Sequence, residues 1–394
     1  MVSLLLLGFS SGLPLPLVGG TLQALLTQKG VGLGVIGLFT LTGIPYTVKF
    51  LWSPLFDRFL PPFLGRRKGW ILFTQCLLFV FLPLVPRCLY NLSLLYVLTV
   101  GIAFLSASQD IVVDALRTDI LEERERGAGV AVFILGYRIA LLTSSALALF
   151  ISDGIGWEIT YLFLGSLLLL GVLGCLLSGE KEPVAPPRDL ADALIGPLRD
   201  LLSRERFLFI LLFLVLYKLG DAYLGSMTVP FLIRGMGFSL REVAVMMKGV
   251  GFLALISGAF LAGALMVRVS LFRALLFFGI LQMVSNLFFL WLWASGKDLF
   301  ALFLVMLVEN FSGGLGTTAF VSYMMSLCNA RYSATQFALL SSLSALGRVV
   351  VAPTSGFFVE RFGWPSFFLL STGLSAPGIL VLLRIGKGEK GPSV

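Results

Sequence analysis

Asp110 and Asp114 stand four residues apart near the end of an apolar run, and Arg117 follows three residues later. On a helix these spacings place all three side chains on one face. A charge at the centre of a membrane helix costs about 2.5–3.5 kcal/mol, so such groups face a protein interior or a water-filled path. A carboxylate that moves between a dry surrounding and a cation-bound one changes its proton affinity. Asp110, the deeper of the two, is therefore a candidate for proton coupling. The competing reading is a static ion-pair network joining the fourth, second and eleventh helices. For Asp114 that structural role is at least as strong, because the arginines of a nearby loop (Arg66, Arg67) are within plausible reach.

Other polar groups interrupt apolar runs. Lys218 and Asp221 are three apart and pair along one helix. Glu309-Asn310 lies within the tenth run, so Asp221 and Glu309 join the proton-coupling candidates. Arg138 and Arg348 lie on the fifth and eleventh helices. They either grip an anionic substrate or neutralise Asp110 and Glu309, and buried pairs of that kind can be purely architectural. Tyr46, Gln109, Tyr137, Asn310 and Gln336, with Tyr217 and Tyr223, offer hydroxyl, amide and ring faces suited to a sugar. Ordinary helix packing is the simpler reading of any one of them.

The chain contains no histidine, which excludes His-based catalysis and leaves proton handling to other groups. Cys76, Cys88, Cys175 and Cys328 form no C-x-x-C pair and read as packing residues. No metal cluster or nucleophile constellation is visible, so neither a cofactor nor an enzyme activity is expected. The run Asn310-Phe311-Ser312-Gly313-Gly314-Leu315-Gly316 lacks the lysine and strand context of a nucleotide loop. Its small residues suit close helix contact.

The elements that carry these groups follow from composition. The chain is 58% hydrophobic and 13% charged over 394 residues, against about 25% charged in a soluble domain. Its apolar residues form runs long enough to span a bilayer, and spanning runs must be helices to satisfy their own backbones. The pattern predicts an all-α polytopic membrane protein with helices over 2–26, 34–54, 70–86, 93–116, 128–151, 158–178, 207–232, 242–266, 273–294, 299–324, 334–358 and 365–384. A Pro-rich, charged interruption at 179–206 divides a first six-helix half (1–178) from a second (207–394). A short surface helix is expected within it around Leu190–Leu202.

The halves echo each other. Lys29-Gly30-Val31-Gly32 recurs as Arg234-Gly235-Met236-Gly237, an offset of 205 (234 − 29). Asp153-Gly154-Ile155-Gly156-Trp157 recurs as Glu360-Arg361-Phe362-Gly363-Trp364, an offset of 207 (360 − 153). Parallel six-helix repeats are the plan of the major facilitator fold. With both termini inside, inner loops carry about 18 Lys and Arg and outer loops about 6, as the positive-inside rule requires. That rule accounts for the net charge of +8, and no aromatic-interleaved basic cluster suggests nucleic acid. No cleavable signal peptide is apparent.

After the second helix the chain reads Asp57-Arg58, then six residues, then Gly65-Arg66-Arg67-Lys68. This resembles the major facilitator inner-loop signature, with a longer spacing than usual that includes Pro61 and Pro62. An acid at a helix end pairing with arginines across a helix seam would close the cytoplasmic side. Bare positive-inside anchoring is the alternative. The stretches Phe50 to Arg58, Ser106 to Asp119, Glu125-Arg126-Gly127-Ala128-Gly129, Tyr217-Lys218-Leu219-Gly220-Asp221-Ala222 and Ser333 to Leu340 resemble the AmpG-type muropeptide permeases over nearly the whole chain. The resemblance implies a bacterial inner-membrane importer of N-acetylglucosaminyl-anhydro-N-acetylmuramic acid, with or without peptide. It also implies coupling to the proton-motive force, with Asp110 and Asp114 essential. The expected partners are an amino-sugar substrate, protons and the lipid bilayer, for a monomer with cytoplasmic termini. A facilitator for another substrate, such as a drug exporter or an acetyl-coenzyme A-type transporter, is the alternative.

Overall fold

The computed structural model describes residues 1–31, 35, 38–62, 64–179, 187, 189–351 and 354–386. Among them every regular element is helical. The helices are α1 (Val2–Leu26), a segmented α2 (39–58), α3 (Arg66–Leu84), α4 (Leu92–Ile120), α5 (Glu123–Ile155), α6 (Trp157–Leu177), α7 (Phe207–Gly235), α8 (Glu242–Leu265), α9 (Leu271–Ser295), α10 (Leu299–Ser326), α11 (Ser333–Val351) and α12 (364–386). Among the described residues ten runs are long and apolar enough to cross a membrane, all but α2 and α11, with α12 lying in the run Ser355–Gly386. Gly363 breaks that run at φ 76°, ψ 173°, a conformation that glycine adopts without steric cost.

Two expectations change. The second helix is not one continuous rod over 34–54. Among the described residues, 3-10 turns at Phe39–Gly43 and Lys49–Leu51 alternate with short helices Ile44–Val48 and Ser53–Arg58. Pro45 and Pro54 each sit in the first turn of a short helix, where a missing N–H is tolerated and a continuous ladder is not. The expected loop arginines Arg66 and Arg67 belong to the first turn of α3, which starts earlier than 70. Gly65, at φ 85°, turns the chain into it. The helix expected in the interruption is present at Leu190–Leu202.

The chain forms two compact units. The first comprises Met1–Glu122, Val132–Arg199 and Leu327–Leu339, and the second Glu123–Ala131, Asp200–Ser326 and Leu340–Val394. In the first unit the core is mainly aliphatic, with Leu13, Leu17, Leu22, Leu78, Leu82 and Ile102 in one cluster. There α1 and α5 cross so closely that a Cβ on Gly136 would fall 2.1 Å from the Leu5 carbonyl oxygen, so only glycine fits. Asn91 starts α4 by accepting from the Ser93 and Leu94 N–H groups at 3.1 Å. The second unit has an aromatic core in which Phe231, Phe289, Phe367 and Phe368 pack together. A capping box between Ser239 and Glu242 opens α8.

Candidate functional site

Asp110 occupies a polar seam of the first unit. It sits ten residues before the end of α4, about 15 Å along the axis. It interacts electrostatically with Lys49, Asp114 and Arg117, and the Ser11 hydroxyl of α1 lies beside it. Yet, among the described residues, Asp110 Oδ1 is buried with no hydrogen-bond partner, as are Ser11 Oγ, Tyr46 OH, Ser106 Oγ and Gln109 Oε1. Tyr46 and Tyr137 are both within electrostatic range of Asp110. Gln109 is fully buried, and its amide nitrogen reaches Ser10 Oγ at 3.4 Å. A buried polar atom without a partner costs stability. Several on neighbouring side chains mark a place where water, a proton or a ligand supplies what the protein leaves open.

Asp114 differs from its neighbour. Arg117 Nη2 donates to Asp114 Oδ1 at 2.8 Å, and Lys49 Nζ of α2 lies 3.9 Å from Oδ2. The Arg117 guanidinium is held over the Phe133 ring at 4.3 Å and near the Phe337 ring at 5.5 Å. The arginines expected near Asp114 turn elsewhere, because their own acids lie closer. Lys49 and Arg117, not Arg138, are the cations beside Asp110. Arg138 is exposed and forms no ion pair among the described residues. The Arg348 side chain lies outside the described residues.

The arginines of α3 build a fastener. Asp57 is fully buried and accepts from Arg67 Nη2 at 2.8 Å, from the Thr335 N–H at 2.8 Å, from Thr335 Oγ1 at 2.7 Å and from the Ala334 N–H at 3.3 Å. The N–H donors are the free ones of the first turn of α11, where a carboxylate is favoured. Arg67 also donates to Ser333 Oγ at 2.8 Å, to Asp119 Oδ2 at 3.0 Å and to the Phe56 carbonyl at 3.0 Å. Arg66 donates to the Ala330 carbonyl at 2.9 Å and lies 3.7 Å from Asp119. Arg58 stays outside this cluster, its guanidinium 5.8 Å from the Phe59 ring centroid. Gln336 is also committed here: it donates to the Pro197 carbonyl at 3.3 Å and accepts from the Asn329 N–H at 2.6 Å. It stands one turn into α11 beside the helix at Leu190–Leu202, apart from Tyr46 and Gln109.

In the second unit α7 is interrupted at Tyr217-Lys218, with Lys218 at φ −100°, ψ 5°. Lys218 Nζ reaches Asp221 Oδ2 at 3.4 Å, Gln282 Oε1 at 3.1 Å and Thr317 Oγ1 at 3.1 Å. Glu309 is electrostatically coupled to both Lys218 and Asp221. Asn310 donates to the Met306 carbonyl of its own helix at 2.9 Å, and the Tyr217 hydroxyl is used by the Leu275 carbonyl at 2.9 Å. The structure thus unites Lys218, Asp221 and Glu309, and turns Asn310 and Tyr217 to packing.

Sequence reasoning passed over Asp119, Gln282, Thr317 and the Ser333-x-Thr335 pair. The last had a legible signal, since Ser and Thr at the head of an apolar run mark a helix start.

The Major Facilitator Superfamily model matches residues 1–352. The chain is 50% identical over 386 residues to the anhydromuropeptide permease of Escherichia coli K12, covering 96% of this chain and 78% of that one. It is 34% identical over 400 residues to a Rickettsia felis chain named as transporter AmpG 4, covering 98% and 96%. Among solved structures, FucP in the outward conformation aligns with a TM-score of 0.73 at 14% identity, and human MFSD10 with 0.70 at 19%, each covering 97% of both chains. At those identities the two structures speak for the fold alone. The long apolar helices, the charged groups set within them and these matches agree: the chain belongs to the Major Facilitator Superfamily and, within it, to the AmpG-type permeases.

Proposed function

We propose that this protein imports anhydro-muropeptides, N-acetylglucosaminyl-anhydro-N-acetylmuramic acid with or without peptide, from periplasm to cytoplasm in peptidoglycan recycling. The observation that carries the reading is the 50% identity to the E. coli anhydromuropeptide permease along 96% of this chain. The protein works as a monomer in the bacterial inner membrane, with both termini cytoplasmic, as the basic-residue bias favours. Two six-helix halves, 1–178 and 207–394, joined by the linker 179–206, alternate access to a midplane site.

Asp110 and the Asp221–Glu309 pair take part in proton symport. Around Asp110 the formal charges balance, with Lys49 and Arg117 against Asp110 and Asp114 (2 − 2 = 0). In the second unit one ammonium faces two carboxylates (1 − 2 = −1), and a proton supplies the missing charge. Tyr46, Gln109 and Tyr137, close to Asp110, offer the sugar ring faces and polar edges. Asp57 and Arg67 hold the start of α11 to α3, and release of this fastener accompanies opening of the cytoplasmic side.

Proteoliposomes test the reading. Labelled anhydro-disaccharide should accumulate when the outside is acidic and equilibrate without accumulating when a protonophore is added. Accumulation that ignores the protonophore would remove proton symport. No uptake of any anhydro-muropeptide, with transport of an unrelated solute, would remove the substrate.

A further inference from the structure

The second unit carries a basic cavity that the transport reading does not use. It has a volume of about 310 Å³ and lies where the start of α5, the α8–α9 connection and the end of α10 meet. Arg124, Arg126 and Arg268 line it with Glu123, so the lining charge is +2 (3 − 1). None of the three arginines forms an ion pair among the described residues, and Arg126 Nε is buried with no hydrogen-bond partner. Ser270 and Leu271 also line it, so the first N–H groups of α9 open onto the same space, adding positive potential. The floor is closely packed: α5 meets α8 at Gly127, where a Cβ would stand 3.0 Å from Gly263 Cα.

Three guanidiniums against one carboxylate, around one cavity at a helix N-terminus, are the chemistry of a phosphate. The surroundings select its source. On α8, Leu261 and Leu265 are exposed one turn apart and lead to exposed Val267 on the cavity wall. A phosphate at the end of an apolar stripe is the arrangement of a phospholipid, with its headgroup in the cavity and its acyl chain along the helix. We propose that this cavity binds the headgroup of an anionic phospholipid, which bridges Arg124 and Arg126 of α5 to Arg268 after α8. With the cytoplasmic orientation proposed above, the lipid comes from the inner leaflet. Binding itself does not depend on which solute is carried.

The test is titration of the purified full chain in detergent with phosphatidylglycerol, followed by native mass spectrometry. The expected result is a retained phosphatidylglycerol adduct, with phosphatidylcholine retained less. Apparent affinity should fall at least about ten-fold in the Arg124→Gln, Arg126→Gln, Arg268→Gln triple variant. Arg361→Gln, which removes the same charge from a site far along the chain, should leave it unchanged. The three single variants, each expected to weaken the adduct, carry the test if the triple variant does not fold. An adduct unchanged by the arginine substitutions overturns the site. Displacement of the lipid by millimolar inorganic phosphate overturns the lipid assignment in favour of a free-anion site. Uptake by the same variants in proteoliposomes reads the transport function separately.

Discussion

Asp57 and Asp110 are aspartates of the same compact unit, and they are held in opposite ways. Asp57 is fully buried and accepts four hydrogen bonds, one from a guanidinium and two from backbone N–H groups at a helix start. Among the described residues, Asp110 has a buried oxygen with no partner, beside other side chains with an unpartnered buried atom of their own. A carboxylate saturated with donors holds the elements that supply them and serves as a fastener. A carboxylate left short of donors keeps an open position at which a proton or a ligand can be met. Burial alone does not separate the two roles, whereas the donor census does.

Breaking the fastener should produce the largest effect. Asp57→Ala leaves Arg67 buried beside Ser333 without its closest acid and leaves the α11 N–H groups unpaired. The expected loss is about 3–5 kcal/mol, read as a large fall in melting temperature of the detergent-purified protein. A variant melting with the parent protein would show that water replaces Asp57 at no cost. Asp110→Asn should do the reverse. Its melting temperature should stay within about 2 °C of the parent, because no hydrogen bond to Oδ1 is lost. Proton-driven accumulation of substrate should disappear. Full accumulation in this variant would transfer the coupling role to Asp221 and Glu309.

The Lys218 cluster sharpens the same contrast at intermediate size. Lys218 satisfies Asp221, Gln282 and Thr317 together, so Lys218→Met strands Asp221 and removes the one cation that acts on Glu309 among the described residues. Adding Asp221→Asn removes one of the stranded charges. A double-mutant cycle should give a coupling of about 1–3 kcal/mol between Lys218 and Asp221. A coupling near zero would mean that the pair is solvated and that Lys218 acts through Glu309 alone.

Much of this was legible in the sequence, for physical reasons. Lipid forces spanning segments to be helical, so composition fixed the class. Charged residues stand out against apolar runs, so Asp110, Asp114, Lys218, Asp221 and Glu309 were visible at once. What periodicity could not show was which charges meet. Arg66 and Arg67 looked free to reach Asp114, but Gly65 starts α3 early enough to bring them to Asp57 and Asp119 instead. Gln336 looked like an amide facing substrate, but it lies one turn into α11, against the Pro197 carbonyl. Those outcomes depend on contacts between different helices, from 10 positions apart for Arg67 and Asp57 to 139 for Gln336 and Pro197, which periodicity along one helix does not encode. The expectation of a single helix over 34–54 passed over Pro45 and Pro54, which sit in the first turns of the short helices into which α2 breaks.

The smallest expected effect concerns a second clasp on the same stretch of chain as the Asp57 fastener. Arg331 Nη2 lies 2.7 Å from Asp192 Oδ2, and the Tyr332 hydroxyl donates to Asp192 Oδ1 at 2.9 Å. The geometry is as good as that of Asp57 with Arg67. The surroundings are not: the two charged side chains are 33% and 27% exposed, whereas Arg67 and Asp57 are 1% and 0% exposed. Water competes for both partners at the exposed site, and salt screens them. Asp192→Asn should therefore cost no more than about 1 kcal/mol, and high salt should erase the difference from the parent. If Asp192→Asn instead destabilises as much as Asp57→Ala, exposure is not what divides the two clasps. The helix at Leu190–Leu202 would then be as integral to the first unit as α3.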